Sequence, residues 1–286
     1  MMMTTKSPAQ NETVSIFASR EDAERWHRGK AHRADATGPA NELMLDLANL
    51  RSGDRVLDVA AGTGDQTLMA ARRVGPTGYV LATDISASML HLAAEAARDA
   101  GLTHIETRVM DAGKLDLEPD SFDAVICRMG LMLMPNPVSA LIEMRRVVKP
   151  SAKVVALVLS VEEKNPYLGI PLAVVRYRAK ITSPAPARPG AFALAQPGML
   201  EDIYSQAGFR DAAVQAVGLR RHFRCAADAV DALKEFSPFF LRDLMAKLSA
   251  GERDLVWSEI EDQLWQFQTP DGLEVPGEAL IGAGAK

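Results

Sequence analysis

The chain has 286 residues, of which 48% are hydrophobic and 24% are charged. This length and composition allow one large core or a core domain with an added cap, and they exclude a disordered or fibrous protein. The formal net charge is -5, and the sequence has no block of Lys and Arg. Nucleic-acid binders usually carry a clustered basic surface, so we expect a small molecule as the partner and no nucleic acid.

Two cysteines, Cys127 and Cys225, lie far apart in the sequence. They provide neither a disulfide framework nor the ligand spacing of a metal site, so we expect no bound metal. The longest apolar runs are shorter than the roughly 18 residues of a membrane-spanning helix, and the first residues lack the basic-then-apolar pattern of a signal peptide. These features predict a cytoplasmic protein without a membrane span.

The first predicted element is a helical segment from Glu21 to Leu50. The pair Gly38-Pro39 predicts an interruption within it, and Leu43, Leu47 and Leu50 form its apolar face. We therefore expect this segment to cover part of the core.

From residue 51 onwards, predicted strands and helices alternate. The predicted strands are Arg55–Val59, Tyr79–Thr83, His104–Val109, Phe122–Cys127, Val154–Leu159, Phe209–Leu219 and Glu278–Ala283. Helices are predicted over Asp65–Val74, from a Ser86 cap to Gly101, after Pro137, and over Met199–Ala207. This alternation predicts an α/β fold, with a doubly wound, mostly parallel sheet covered by helices on both faces.

Two insertions interrupt the alternation. Repeated proline and glycine signals predict an irregular first insertion, whereas the second is helical and rich in Leu, Phe and Trp. We divide the chain into an N-terminal helical cap segment (1–50), a cofactor-binding core (51–160), the first insertion (161–197), a core helix and strand (198–219), a helical cap insertion (220–270) and a final core strand (271–286).

The sequence VLDVAAGTGD, from Val56 to Asp65, marks the expected ligand site, because ligands of open α/β sheets bind beyond the carboxyl ends of the strands. Gly62 and Gly64 let the backbone approach a ligand closely. The third glycine of a dinucleotide-binding loop is missing, and Asp58 and Asp65 place negative charge where a pyrophosphate would lie. A zwitterionic or cationic ligand suits this loop better.

Two further acids end the next two strands. Asp84 follows Gly64 by twenty positions, and a carboxylate there can accept both hydroxyls of a ribose. Asp111 ends the third strand, where its side chain can accept from an adenine amine while the Ala112 N–H donates to a ring nitrogen. Three acids at the ends of three strands predict an adenosine without phosphates.

These motifs, together with Phe122-Asp123 and the segment Arg145–Pro150, resemble in order and spacing the motifs of the class I S-adenosylmethionine-dependent methyltransferases. Within that superfamily the chain is most similar to the group of ubiquinone and menaquinone biosynthesis C-methyltransferases. The resemblance implies a seven-stranded sheet with its last strand antiparallel, helical cap insertions, and S-adenosylmethionine as cofactor. The predicted cofactor-binding residues are Asp58, Ala60, Gly62, Thr63, Gly64, Asp84, Ile85, Met89, Asp111, Ala112, Arg128 and Met129.

Several of these residues have a plainer alternative role. Asp58 can simply orient the loop, and Asp65 can serve either the helix start or the ligand. Trp26 either covers the cofactor or anchors the N-terminal helix. The catalytic residue is not identified; the candidates for a base are His27, His32 and His222.

We expect methyl transfer by in-line displacement to a small hydrophobic or aromatic acceptor, at oxygen, nitrogen or carbon. Residues 165–177 and 222–241, with few charges on their presumed inner face, are expected to line the acceptor pocket. The alternatives are a protein that binds the cofactor without methyl transfer, as a sensor or for other chemistry, and an RNA or protein methyltransferase. The acceptor and the oligomeric state, a homodimer included, stay open.

Overall fold

The computed structural model describes residues 19–181 and 189–286. The strands are β1 (Arg55–Val59), β2 (Tyr79–Asp84), β3 (Ile105–Val109), β4 (Phe122–Arg128), β5 (Val148–Leu159), β6 (Arg210–Phe223), β7 (Gln268–Thr269) and β8 (Gly272–Ala285). The helices are α1 (Arg20–Arg28), α2 (Lys30–Leu47), α3 (Asp65–Val74), α4 (Ala87–Asp99), α5 (Pro137–Val147), α6 (Pro166–Arg178), α7 (Met199–Gln206), α8 (Ala226–Phe236), α9 (Phe239–Met245) and α10 (Ala250–Leu264). Within these two ranges, no helix is both long and apolar enough to cross a membrane.

The strands form one sheet in the order β3-β2-β1-β4-β5-β8-β6, with the two-residue β7 paired to β8. Strands β1 to β5 pair in parallel, and β8 runs antiparallel to both β5 and β6. The predicted doubly wound sheet with an antiparallel last strand is therefore confirmed. The strand order reverses between β1 and β4, which is where α/β sheets of this kind bind their ligands.

The central strands of the sheet are buried because their side chains are apolar. Val125 and Ile126 in β4 and Val155 and Val158 in β5 are fully buried, as expected for parallel strands that are covered by helices on both faces. Each such side chain contributes roughly 1.5 to 3 kcal/mol through its burial. At the β8 end, the hydroxyl of the buried Tyr204 donates to the Gly282 carbonyl at 2.9 Å, so α7 is fixed to the antiparallel strand.

The N-terminal segment breaks at a different point from the one predicted. The break between α1 and α2 comes at Gly29, while Gly38 and Pro39 lie inside α2. Proline removes one helical hydrogen bond, but burial of the turns on either side holds the helix together. The interruption predicted at Gly38-Pro39 is therefore wrong. The buried face is also shifted by tertiary packing. Its buried residues are Ala36, Thr37, Ala40, Asn41, Met44 and Leu45, whereas Leu43, Leu47 and Leu50 are only partly buried.

The first insertion is less irregular than predicted. It contains α6, which begins with Pro166 at a position where the missing N–H costs nothing. Residues 182–188 of the predicted loop lie outside the described residues. The second insertion is helical as predicted, and α8, α9 and α10 pack with α6 around their own apolar cluster, separate from the sheet core. We call these four helices the cap. The division of the chain into domains stays a prediction.

Candidate functional site

A cavity of about 1110 Å³ lies at the carboxyl ends of the strands. The loops after β1, β2, β3 and β4 form its floor, and α1, α2 and the cap contribute the other walls. The structure brings together most of the residues predicted to bind the cofactor. Those that line the cavity are Ala60, Gly62, Asp84, Ile85, Met89, Asp111, Ala112, Arg128 and Met129.

The loop after β1 makes a tight turn at the cavity wall. Gly62 has a φ of 56°, and a β-carbon built on it would lie 3.7 Å from the indole nitrogen of Trp26. Ala60 has a φ of 57°, which a residue with a side chain rarely adopts. Trp26 therefore faces the glycine loop across a narrow space, as the interpretation that it covers the cofactor requires.

Asp84 is held in a fixed orientation at the end of β2. Its Oδ2 accepts from the Gly62 N–H and its Oδ1 from the Ser86 N–H, both at 2.9 Å. Burial raises the pKa of Asp84, while the hydrogen bonds from these two amides lower it. Since each carboxylate oxygen has more than one lone-pair site, the side chain can still accept two hydroxyl donors from a ligand.

Asp111 supplies the third strand-end acid. It is half-buried, and its Oδ1 accepts from the Gly113 N–H at 2.8 Å. Its backbone pairs with Lys114 in an isolated bridge, which orders the loop after β3. Asp111 and Ala112 both line the cavity beside Met110, so an acceptor and a backbone donor are close together at this edge.

Asp58, Thr63 and Gly64 do not line the cavity, although they were predicted to touch the cofactor. Asp58 is buried, and its Oδ2 accepts from the Thr67 hydroxyl at 2.6 Å. Burial raises the pKa of Asp58 to about 7. Gly64 has a φ of 85°, and a β-carbon there would lie 3.0 Å from that of Ala93 in α4. The structure thus gives these residues a supporting position behind the glycine loop.

Asp65 forms ion pairs with two arginines. Its Oδ2 lies 3.3 Å from Arg33 and 3.5 Å from Arg128. The Arg33 guanidinium also stacks 3.9 Å from the ring of Trp26. Burial lowers the pKa of Arg33 to about 10, so Arg33 is charged at neutral pH. Two cations therefore balance the negative charge that the sequence places at Asp65.

The three candidate histidines lie in different surroundings. His32 lines the cavity, where it stacks on Phe223 with ring centroids 5.9 Å apart. His222 is exposed and lies between Asp35 and Glu274, at 3.3 and 3.5 Å, and it does not line the cavity. His27 also lies outside the lining, and desolvation lowers its pKa. Of the three candidates, only His32 reaches the cavity.

The sequence reasoning missed several charged residues of the cavity wall. Arg25, Arg221 and Arg242 line the cavity together with Arg33. None of these arginines lies within residues 165–177 or 222–241, and the lining residues of those two segments carry no charge, which agrees with the expectation of few charges on their inner face. Single arginines within helices and strands carry no local signal of the side they face. Only the alternation along β6, in which Leu219 is buried, Arg220 is exposed and Phe223 is half-buried, indicates that Arg221 points inwards.

Comparison with known proteins identifies relatives of the segment that contains β1 to β5. Residues 40–175 match the model of the ubiE/COQ5 methyltransferase family. Over 118 residues the chain is 45% identical to the ubiquinone/menaquinone biosynthesis C-methyltransferase UbiE of Burkholderia mallei. These residues cover 41% of this chain and 48% of that protein. The chain therefore spans about half the length of the curated relatives that it matches. The resemblance to the class I S-adenosylmethionine-dependent methyltransferases is confirmed.

Solved structures confirm the fold over more of the chain. Phosphoethanolamine N-methyltransferase 2 of Haemonchus contortus, solved with phosphomonomethylethanolamine and S-adenosylhomocysteine, aligns with a TM-score of 0.61 and 19% identity, over 98% of this chain and 61% of that one. The [4+2]-cyclase SpnF aligns with a TM-score of 0.53 and 20% identity, over 86% of this chain and 80% of that one. One fold thus occurs in proteins named for different reactions, so function must be argued from the site.

Proposed function

We propose that the protein is an S-adenosylmethionine-dependent methyltransferase that acts on a small aromatic or otherwise hydrophobic acceptor. The observation that carries this proposal is the Asp84 carboxylate, which is fixed by two backbone amides beside Gly62 at the wall of a large cavity. The match of residues 40–175 to the ubiE/COQ5 family supports the same assignment.

The side chains at the cavity floor fit this cofactor. Asp84 offers free lone pairs to the ribose hydroxyls, and Asp111 with the Ala112 amide offers an acceptor and a donor to the adenine. Gly62 keeps the backbone bare opposite Trp26, where a side chain would reduce the space. Arg33 and Arg128, which have Asp65 as a common partner, suit the carboxylate of the amino-acid part.

The chain contributes mainly alignment to the reaction. When bound, S-adenosylmethionine supplies a methyl group on a positively charged sulfur, ready for direct displacement. Holding a nucleophile in line can supply about 7 to 11 kcal/mol, whereas a general base adds about 10² to 10⁴ in rate. The assignment therefore does not depend on a base. His32 is the candidate for that role, because its ring lies at the cavity wall.

The cap suits an apolar acceptor. The cavity wall near the end of β4 consists of methionine and leucine side chains, and the cap adds aromatic rings. The residues concerned are Met129, Met132, Leu133, Tyr167, Leu168, Phe236, Phe239 and Phe240. A largely apolar wall of this kind is typical of small-molecule sites, and it favours a small acceptor over RNA or a protein substrate.

Calorimetry with S-adenosylhomocysteine tests the cofactor site. We expect the wild-type protein to bind it and an Asp84→Ala variant to lose at least about 100-fold in affinity, since two hydrogen bonds to a charged group are removed. Asp99→Ala is the matched control, because Asp99 is exposed at the end of α4, and it should bind like the wild type. Equal affinity of the Asp84→Ala variant would contradict the ribose assignment.

A labelling experiment tests the transfer itself. The protein is incubated with methyl-labelled S-adenosylmethionine and fractionated cell extract, and we expect label to enter small organic compounds. Label in RNA or in protein would point to a polymer substrate instead. Binding without any label transfer across all fractions would favour a cofactor-binding sensor or an enzyme of other chemistry.

A further inference from the structure

Arg221 is a cavity residue for which the proposed cofactor provides no role. It lies on β6, two positions before Phe223, so both side chains extend from the same face of the strand. Its guanidinium carbon lies 4.7 Å from the centroid of the Tyr167 ring in α6. Burial lowers the pKa of Arg221. Arginine nevertheless stays charged in proteins, so a cation is held at the boundary between the sheet and the cap.

No carboxylate of the described residues forms an ion pair with Arg221. The acid with which it interacts at longer range is Asp35, and the Oδ2 of Asp35 lies 3.3 Å from Nδ1 of His222. Behind Arg221 lies a recess of only about 10 Å³, which is room for about one water molecule. A charge that is withdrawn from bulk water without a partner is costly. The main cavity, which Arg221 lines, is therefore where a ligand anion has room to pair with it.

The charge of the whole cavity points the same way. Its cationic side chains are Arg25, Arg33, Lys114, Arg128, Arg221 and Arg242, and they outnumber the three carboxylates Asp22, Asp84 and Asp111. The charges of Arg128 and Arg221 both lower the pKa of Arg33, which means that these cations are close enough to repel one another. The net charge of the whole chain is -5, whereas the side chains around the cavity carry a net positive charge. The cavity therefore attracts anions.

Aromatic rings stand next to Arg221. Tyr167 stacks on Phe223 with centroids 5.3 Å apart, and Phe223 in turn stacks on His32. His32 lies 5.5 Å from Phe236. His32, Tyr167 and Phe236 all line the cavity, so a flat ring can contact this wall while a substituent at its edge reaches the guanidinium.

We propose that Arg221 binds the carboxylate of an aromatic acceptor whose ring packs against this wall. The inference rests on the proposed function and adds an acidic group to the acceptor. A planar guanidinium matches a planar carboxylate with two parallel hydrogen bonds. Arg33 and Arg128 lie beside Asp65, where the proposed function assigns them to the cofactor. Arg221 has no ion-pair partner among the described residues and lies next to the ring of Tyr167, so it is the cation placed to meet the acceptor.

The test compares two probes that differ only in the acidic group. 1-Hydroxy-2-naphthoate and 1-naphthol are titrated into the protein saturated with S-adenosylhomocysteine. We expect the naphthoate to bind the wild type about 10- to 100-fold more tightly, as a hydrogen-bonded charge pair implies. Arg221→Gln should remove this preference, and Arg221→Lys should restore part of it. Arg220→Gln is the matched control, since Arg220 is exposed and paired with Glu274, and it should keep the full preference.

Each outcome has a defined meaning. Equal binding of the two probes to the wild type, or an unchanged preference in Arg221→Gln, would overturn the inference. Tighter binding of 1-naphthyl phosphate than of the naphthoate would also overturn it, because a phosphate would then be the preferred group. Unchanged affinity of the variants for S-adenosylhomocysteine shows that they are folded. If the wild type fails to bind S-adenosylhomocysteine, the proposed function fails instead, so the two failures are distinguishable.

Discussion

A β-carbon built on Gly130 would lie 2.4 Å from the β-carbon of Ala60. The loops after β1 and β4 therefore touch at a point where no side chain fits between them. Ala60 and Met129 have φ values of 57° and 59°, and left-handed backbone at residues other than glycine is uncommon and costs free energy. Strained backbone thus occurs on both sides of this contact, at the wall of the cavity.

Substitution of Gly130 tests the contact. We expect Gly130→Ala to lower the free energy of unfolding by about 1 to 3 kcal/mol, because overpacking forces the backbone to shift, and to weaken S-adenosylhomocysteine binding. Urea denaturation and calorimetry measure the two effects. Gly218→Ala, which meets no atom within 4 Å, is the control. Adding Ala60→Gly to Gly130→Ala should recover much of the loss, and strict additivity of the two substitutions would contradict the direct contact.

Removal of the Asp65 carboxylate should expose the repulsion between Arg33 and Arg128. The exposed fractions of these two arginine side chains are only 14% and 9%, and an unpaired buried charge is destabilising. We expect Asp65→Asn to cost about 3 kcal/mol of unfolding free energy, measured by denaturant titration. Asp46→Asn, which breaks an exposed pair with Arg73, should cost no more than about 1 kcal/mol. If both variants lose the same amount, the Asp65 pairing has no special role.

The buried Asp58 predicts a dependence of stability on pH. Its pKa is 3.8 in the unfolded chain and about 7 in the folded protein, so between these values the folded state binds the proton more tightly. Stability from this group is therefore present at low pH and is lost as the pH rises towards about 7 and above. Asn at this position cannot ionise, so Asp58→Asn should gain on the wild type as the pH rises.

Thermal unfolding at pH 5, 6, 7 and 8 measures this effect. The melting temperature of Asp58→Asn minus that of the wild type should increase from pH 5 to about pH 7 and then level off towards pH 8, and Asp99→Asn should show no such trend. A difference between Asp58→Asn and the wild type that is constant across the series would mean that Asp58 is ionised throughout.

The cap is expected to close on bound cofactor. Arg242 in α9 pairs with Asp22 in α1 at 2.5 Å, which joins the cap to the N-terminal helices above the cavity. We expect S-adenosylhomocysteine to protect residues 165–177 and 222–241 from limited proteolysis, and Arg242→Gln to reduce that protection. Arg253→Gln, on the exposed start of α10, serves as the control. Equal digestion of the free and bound protein would argue against closure.

The residues at the floor of the cavity could be predicted from sequence because each lies next to the end of a strand or the start of a helix that is itself predictable. Asp84 is the last residue of the apolar strand β2, Asp111 comes two residues after the end of β3, and Gly62 lies in the short turn before α3. Parallel strands place such residues at one edge of the sheet by topology alone. The exception is Asp58, whose side chain turns towards Thr67 behind the loop, and strand periodicity does not reveal that orientation.

The walls above that floor could not be predicted in this way. Arg33 meets Asp65, and Arg221 meets Tyr167, only because helices and strands distant in sequence pack together. Neither contact follows from spacing or propensity. Pro39 illustrates the same limit, since its local preference against a helix is overcome by the burial of the surrounding turns of α2.

The position of β8 between β5 and β6 has a consequence for how the protein forms. During translation, residues 272–285 must leave the ribosome before β5 and β6 can join one sheet. Until then both strands have unpaired edges, and such edges pair readily with other chains. We expect the nascent protein to need protection from self-association until β8 has paired with both β5 and β6.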